Sequence, residues 1–223
     1  MAQCRWCGRS GPHLSITEQG VCRACYPIVG MDIVQRTRII EESNAIVYKS
    51  KKLETRISRC ELIIEHAKAL LPYEVRGIPT ISPVPSKAIE AFGKIRDDIV
   101  VDTLQNEFVE ILKKTSLPMS PKTKVNRLAK FLLRVRENKS KVASKDLLNT
   151  LETKVSEEIH STQLNSMLES ARKCEFKRQQ KKALNHYYDA LYFLRHDDID
   201  DKLQSTQISA VEEKIKELGG TLN

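Results

Sequence analysis

The chain is poor in the residues that build nucleotide-cradling loops. Eight glycines in 223 residues are few, and no Gly-rich phosphate loop, nucleophile elbow or His-Glu-x-x-His helix occurs. Aromatic residues are only 5 % of the chain, so its cores are expected to be built from Leu, Ile, Val and Ala. No stretch approaches the roughly 18 to 20 apolar residues that a membrane span needs. Nothing resembles a secretory leader, since the first cysteine pair opens the sequence without an apolar run. These absences, with a 30 % share of charged residues, lead to the expectation of a cytoplasmic, helix-rich protein with no membrane partner and no evident small-molecule substrate. The five histidines, at 13, 66, 160, 186 and 196, are scattered and form no metal pair on one helix face.

What the chain has is concentrated at its start. Cys4-Arg5-Trp6-Cys7 is followed, fourteen residues later, by Cys22-Arg23-Ala24-Cys25. A two-residue gap lets both thiolates of a pair reach one ion at about 2.3 Å, so the two pairs together read as a four-thiolate site for Zn2+, with iron as the rarer alternative. The remaining cysteines, Cys60 and Cys174, lie alone on helical patterns and read as small buried hydrophobes; a disulfide framework would spread its cysteines along the chain. Leu14 and Ile16 alternate between turn residues, predicting a short hairpin between the pairs. Cys25-Tyr26-Pro27 predicts a helix beginning at or just after Cys25, because proline suits a first helical turn.

A glycine-ended knuckle (Cys7-Gly8), a hairpin and a second ligand pair at a helix start resemble the treble-clef zinc fingers. That resemblance covers about the first 30 residues and implies a structural metal, with nucleic-acid, protein-binding and purely structural roles all open. Arg5, Arg9 and Arg23 flank the ligands. They read first as partial neutralisation of the thiolates and second as a basic surface for phosphate. Trp6, the only tryptophan, reads as the apolar cover of a module with almost no core.

Beyond the cysteines the spacing is helical. Ile33, Ile40 and Val47 recur at seven; after Lys49-Ser50-Lys51-Lys52, a second stripe runs Leu53, Ile57, Cys60, Ile64, Ala67 and Leu71. The two stripes predict an antiparallel hairpin. Pro72, Pro79, Pro83 and Pro85 then predict an extended arm or hinge, with Val75, Ile78, Ile81 and Val84 recurring every three residues. Ser86 opens a further helix, expected to end at Leu117-Pro118. Ser120-Pro121 is a strong helix start, with Val125, Leu128, Leu132 and Val135 as its buried face. Ser144 is expected to cap a segment carrying Leu148, Leu151, Val155 and Ile159. From Leu164 a helix pair is expected. Met167, Ala171 and Cys174 followed by Ala183, Tyr187 and Ala190 resemble one tetratricopeptide (TPR) repeat, although Ser170 and Arg195 stand where that family favours leucine and proline. A last helix carrying Ile208, Val211, Ile215 and Leu218 ends at Gly219-Gly220.

The expected fold is therefore all-α, antiparallel TPR-like hairpins with a small treble-clef-like zinc module. Its parts are the module (1–30), a helical hairpin (31–71), a Pro-rich linker or arm (72–86) and a helical domain (87–223). Solenoids of this kind offer grooves to peptides, so the first functional expectation is a non-catalytic adaptor or scaffold that binds another protein. The second rests on charge. The net charge is +8, and nine Lys/Arg face two acids over 119–146 and six face one over 172–182. Lys122, Lys124, Arg127, Lys130, Arg134 and Arg136, with Arg172, Lys177, Arg178 and Lys181, would bind nucleic acid without sequence preference if the two segments share a face. Each segment holds a single phenylalanine, Phe131 in the first and Phe176 in the second, so the sequence gives little support for base stacking. A third, distant expectation is a hydrolase built on His186 with His196-Asp197-Asp198 and Asp200-Asp201.

Overall fold

The computed structural model of the chain describes residues 2–197 and 199–222. The described residues are mostly helical, with two short strands. The chain divides into two compact units, one of Met1–Glu107 with Glu137–Leu148 and one of Phe108–Arg136 with Asn149–Asn223.

The first unit begins with β1 (Ala2–Gln3), paired antiparallel with β2 (Ser10–Gly11) in the register Ala2↔Gly11 and Gln3↔Ser10. The hairpin expected between the cysteine pairs is reduced to a single bridge, Ile16↔Cys22, closed by a Thr17–Gly20 turn. Helix α1 (Tyr26–Lys49) starts directly after Cys25, with Pro27 in its first turn where a missing N–H costs no hydrogen bond. Helix α2 (Leu53–Val75) returns beside it. Arg56 donates to the Val47 carbonyl, Arg36 reaches His66 and Tyr73 reaches Asp32, so partners rise along α1 as they fall along α2 and the pair is antiparallel. Ile33, Ile40 and Val47 of α1 are buried as their spacing predicts.

On α2 the buried set is Leu53, Ile57, Cys60, Ile63, Ala67, Leu70 and Tyr73. Ile63 and Leu70 occupy the places expected for Ile64 and Leu71, which are only half-buried. Pro72 does not stop α2. The helix runs through it to Val75 and breaks at Arg76-Gly77, where Gly77 takes φ +68. A proline in the last turn forfeits one hydrogen bond, and the buried ring of Tyr73 anchors that turn against α1. Of the residues recurring every three, only Ile78 is buried, while Val75 and Val84 are exposed. Ile78 anchors the segment, and where α3 (Pro85–Thr115) begins the Ser86 N–H and hydroxyl both bond the Glu74 carboxylate. Asp97 of α3 is held by Arg96 and accepts the Ala143 N–H at 2.8 Å, fixing the chain that leads into α5.

In the second unit α4 (Pro121–Lys139) starts as its sequence predicts, with the Ser120 hydroxyl accepting the Thr123 N–H. It buries Leu128, Phe131 and Val135; Val125 and Leu132 are half-buried. Phe131 stacks on Phe108 at 5.7 Å. Helix α5 (Asp146–Phe176) is continuous, so the segment opened near Ser144 and the first helix of the expected pair are one element. Helices α6 (Gln180–His196) and α7 (Asp201–Glu217) complete a three-helix core with the second half of α5. Ala171, Ala183 and Ala190 are fully buried and Tyr187 fills the space they leave, its hydroxyl donating to Glu175. Gly219 (φ +78) ends α7, and Gly220 N–H returns to the Ile215 carbonyl.

Candidate metal centre

The four sequence-predicted ligands converge. One Sγ from each of Cys4, Cys7, Cys22 and Cys25 lies within 4.8 Å of the others, and Cys7 and Cys22 are 3.9 Å apart. Sulfurs around a tetrahedral zinc at about 2.3 Å stand about 3.8 Å from one another, so the donor set fits that ion. Local backbone places each sulfur. The Gly8 N–H bonds the Cys4 carbonyl to close the knuckle, and Gly8 adopts φ +75, which a side chain would resist. The second pair sits on a turn whose Cys22 carbonyl accepts from Cys25 and Tyr26, leading straight into α1.

Backbone donors are aimed at sulfur. The Cys22 N–H points at Cys4 Sγ at 3.1 Å. Burial pushes the Cys4 thiol up, but hydrogen bonds from the backbone of Cys7, Cys22 and Trp6 outweigh it and bring it down to about 6. Burial and the neighbouring sulfurs of Cys22, Cys7 and Cys4 push Cys25 up to about 12. Four thiols this close resist forming four thiolates by themselves, and a bound dication supplies the missing charge. With all four positions taken by protein sulfur such an ion has a structural role. Cys4 and Cys22 are buried, Cys25 is half-buried and Cys7 is exposed.

The module is fastened to α2. Arg5 donates to the Gly77 carbonyl, and its side chain lies so close to Gly20 (φ +80) that a Cβ there would stand 2.7 Å from the Arg5 Cδ. Trp6 packs on the ring of Tyr73 at 5.0 Å and beneath the Arg76 guanidinium at 4.7 Å. Behind Tyr73, its hydroxyl donates to Asp32 at 2.8 Å and Arg36 pairs with the same carboxylate at 2.9 Å. Burial opposes the Asp32 charge, yet the Arg36 and Tyr73 hydrogen bonds hold that carboxyl below its usual range. Sequence reasoning named Trp6 as a cover and missed what it covers. Arg9 and Arg23 are exposed. Cys60 is fully buried, and burial raises its thiol, as befits an inert core residue.

The basic residues fall into two groups. On α4, Lys124 pairs with Glu158 at 2.6 Å and Arg136 with Glu152 at 2.7 Å. Arg134 also has a partner, while Lys122, Arg127 and Lys130 are exposed. At the α5–α6 turn, Arg172, Lys177, Arg178 and Lys181 are all exposed. In the histidine and aspartate stretch, His186 approaches Asp189 at 3.9 Å, and His196 stacks on Tyr192 and bonds the Tyr192 carbonyl. Asp197 instead meets His160 at 2.7 Å and also accepts from Gln204 and the Ile199 N–H, a cluster no local spacing signals. Asp198 lies outside the described residues.

One further surface is apolar. On α1 Tyr26, Ile28, Met31 and Val34 are 45 %, 75 %, 73 % and 65 % exposed. Tyr26, Pro27, Met31, Val34 and Arg38 line a groove of about 450 Å³ whose floor includes Gly30. Pro27, Met31, Val34 and Arg38 are spaced four, three and four, a second helical stripe roughly opposite the buried one. That spacing was present in the sequence beside the Ile33, Ile40 and Val47 stripe. Among the described residues, no helix is long and apolar enough to cross a membrane. No protein-family model, curated protein or solved structure matches the chain.

Proposed function

We propose that the chain is a non-catalytic zinc-containing adaptor that binds another protein through the exposed apolar stripe of α1, next to the metal module. The observation that carries this reading is the stripe itself. Four large apolar side chains within nine residues stand largely in water beside a groove, on a helix whose other face is already packed. Exposed contiguous apolar surface on a soluble chain is characteristic of partner-binding sites. The metal module is treble-clef-like in this reading, since its knuckle is followed by a ligand pair at the start of α1. Zinc then fixes the end of the very helix that presents the stripe. The α5–α6 hairpin is TPR-like, with small residues at its closest approach and Tyr187 filling the gap. A non-catalytic role accords with Asp197 being engaged by His160 and Gln204.

The test is photo-crosslinking from Met31 and Val34 in cells, with exposed Lys154 on α5 as the control position. A single protein captured from both α1 positions and not from Lys154, and losing at least about tenfold in affinity for a Met31→Asp/Val34→Asp variant, is the expected result. Crosslinks of equal pattern from all three positions, or unaltered affinity of the variant, would refute it.

A further inference from the structure

The turn between α5 and α6 joins cations to an aromatic ring in a way the adaptor reading does not use. Between residues 172 and 182 six Lys/Arg face one acid, Glu175, and its carboxylate is occupied by the Tyr187 hydroxyl. Phe176, the last residue of α5, is 90 % exposed, whereas the other four phenylalanines are buried or half-buried. Beside its ring opens a recess of about 340 Å³, lined also by Glu169, Arg172, Lys173 and Lys177. Glu169 is neutralised by Lys173 at 3.2 Å, which leaves Arg172 and Lys177 without an ion pair among the described residues. The turn itself is fixed. Gln179 N–H bonds the Cys174 carbonyl, and Arg178 adopts φ +58, a conformation for which glycine is the ordinary choice. An arginine held there is strained, and strain of this sort clusters at functional sites.

We propose that this recess binds single-stranded nucleic acid, with a base stacked on Phe176, its flanking phosphates on Arg172 and Lys177, and Arg178, Lys181 and Lys182 continuing the phosphate track. The charge complementarity is direct: phosphates are the partners that a cluster of uncompensated guanidinium and ammonium groups recognises. The ring decides between strands. Base–aromatic stacking needs an unstacked base, which a duplex does not offer and a single strand does. It also decides against an anionic bilayer. Among the described residues no other large apolar side chain is exposed between Leu147 and Tyr192, and insertion into a membrane surface requires more buried apolar area than one ring provides.

The experiment uses the full zinc-loaded chain and fluorescence anisotropy with a labelled oligothymidine and the corresponding duplex across a salt series. Binding should favour the single strand. Phe176→Ala should weaken it about 5- to 150-fold, the range of one lost stacking contact, with an unaltered salt slope, and Phe176→Trp should retain it. Arg172→Ala/Lys177→Ala should reduce the salt slope by about 1.4, two phosphates on a single strand. Because Phe176 is exposed, its replacement should leave the circular dichroism spectrum unchanged. No binding at low salt, equal binding of duplex and single strand, or a Phe176→Ala variant that binds like the parent would each overturn the proposal. So would Phe176-dependent binding to phosphatidylserine vesicles without binding to the oligonucleotide. The Met31→Asp/Val34→Asp variant alters the other surface and should bind the oligonucleotide normally, so the two readings fail separately.

Discussion

Removing the metal should release Trp6, and Trp6 is the only tryptophan in the chain. The ring is held by Tyr73 at 5.0 Å and by Arg76 at 4.7 Å, and it lies between two of the ligands, Cys4 and Cys7. The module has little else to keep it folded. Apart from the cysteines its fully buried apolar side chains are Val21 and, at the start of α1, Val29. Burial of two valines contributes roughly 3–6 kcal/mol, whereas a structural zinc site contributes about 10–16 kcal/mol at neutral pH. The metal term is the larger by a factor of about two to five, so the module is expected to unfold without it. The α1–α2 hairpin has its own buried side chains, Ile33, Ile40, Val47, Ile57, Ile63 and Leu70, and it should survive. The assay is tryptophan emission during titration with a strong chelator, followed in parallel by far-UV circular dichroism. Emission should shift to the red as one equivalent of zinc is released, while most of the helical signal stays. Cys25→Ser should show the same red-shifted emission at ordinary zinc concentrations. Emission that does not move on chelation would refute the reasoning, because Trp6 would then be held without the metal. A collapse of the helical signal in step with the emission would refute its second half, since the hairpin would depend on zinc.

Two further outcomes follow from the polar contacts. Tyr73→Phe removes the hydroxyl bond to Asp32 and should cost about 1–2 kcal/mol, given that Arg36 still holds the carboxylate. Burial, then the Asp32 hydrogen bond, pushes the Tyr73 phenol up to about 12, against about 10 in the unfolded chain. The folded state therefore keeps a proton that the unfolded state loses, the contribution is complete below about pH 10, and stability falls as pH rises from there towards 12. Denaturation midpoints of parent and Phe variant should converge over that window; parallel curves would contradict the assignment. His160→Ala removes both the 2.7 Å bond to Asp197 and the stack on Phe193. It should cost about 2–4 kcal/mol in chemical denaturation, from one charge-assisted bond and one aromatic pair. A cost below about 0.5 kcal/mol, the level of an ordinary surface substitution, would show that the cluster contributes little.

The four-cysteine cluster was legible because its determinants are local. Two residues between thiolates, a glycine able to take φ +75 and a proline in a first helical turn act within a few residues of each other, and all three stand as the sequence predicts. The Ser120 cap and the Ile33, Ile40 and Val47 stripe are local in the same sense. Tertiary structure decided what depends on the element lying opposite. Ile63 and Ile64, and Leu70 and Leu71, are adjacent apolar pairs that fit a helical stripe equally well, and only the packed fold selects Ile63 and Leu70 for burial. Pro72 punctuates the sequence, yet Tyr73 packed on Asp32 and Trp6 carries α2 past it, because one lost hydrogen bond in a last turn is a smaller term than an anchored aromatic ring. The His160–Asp197 pair spans 37 residues and the Arg5–Gly77 contact 72, separations at which no spacing rule operates. The cations on α4 illustrate the same limit. Composition counts Lys124 and Arg136 as available charge, and only the fold shows that Glu158 and Glu152 already hold them. Sequence determines which residues can ligate, cap or pack. Which partner each one meets is a property of distance in space, and distance is set by the packed helices.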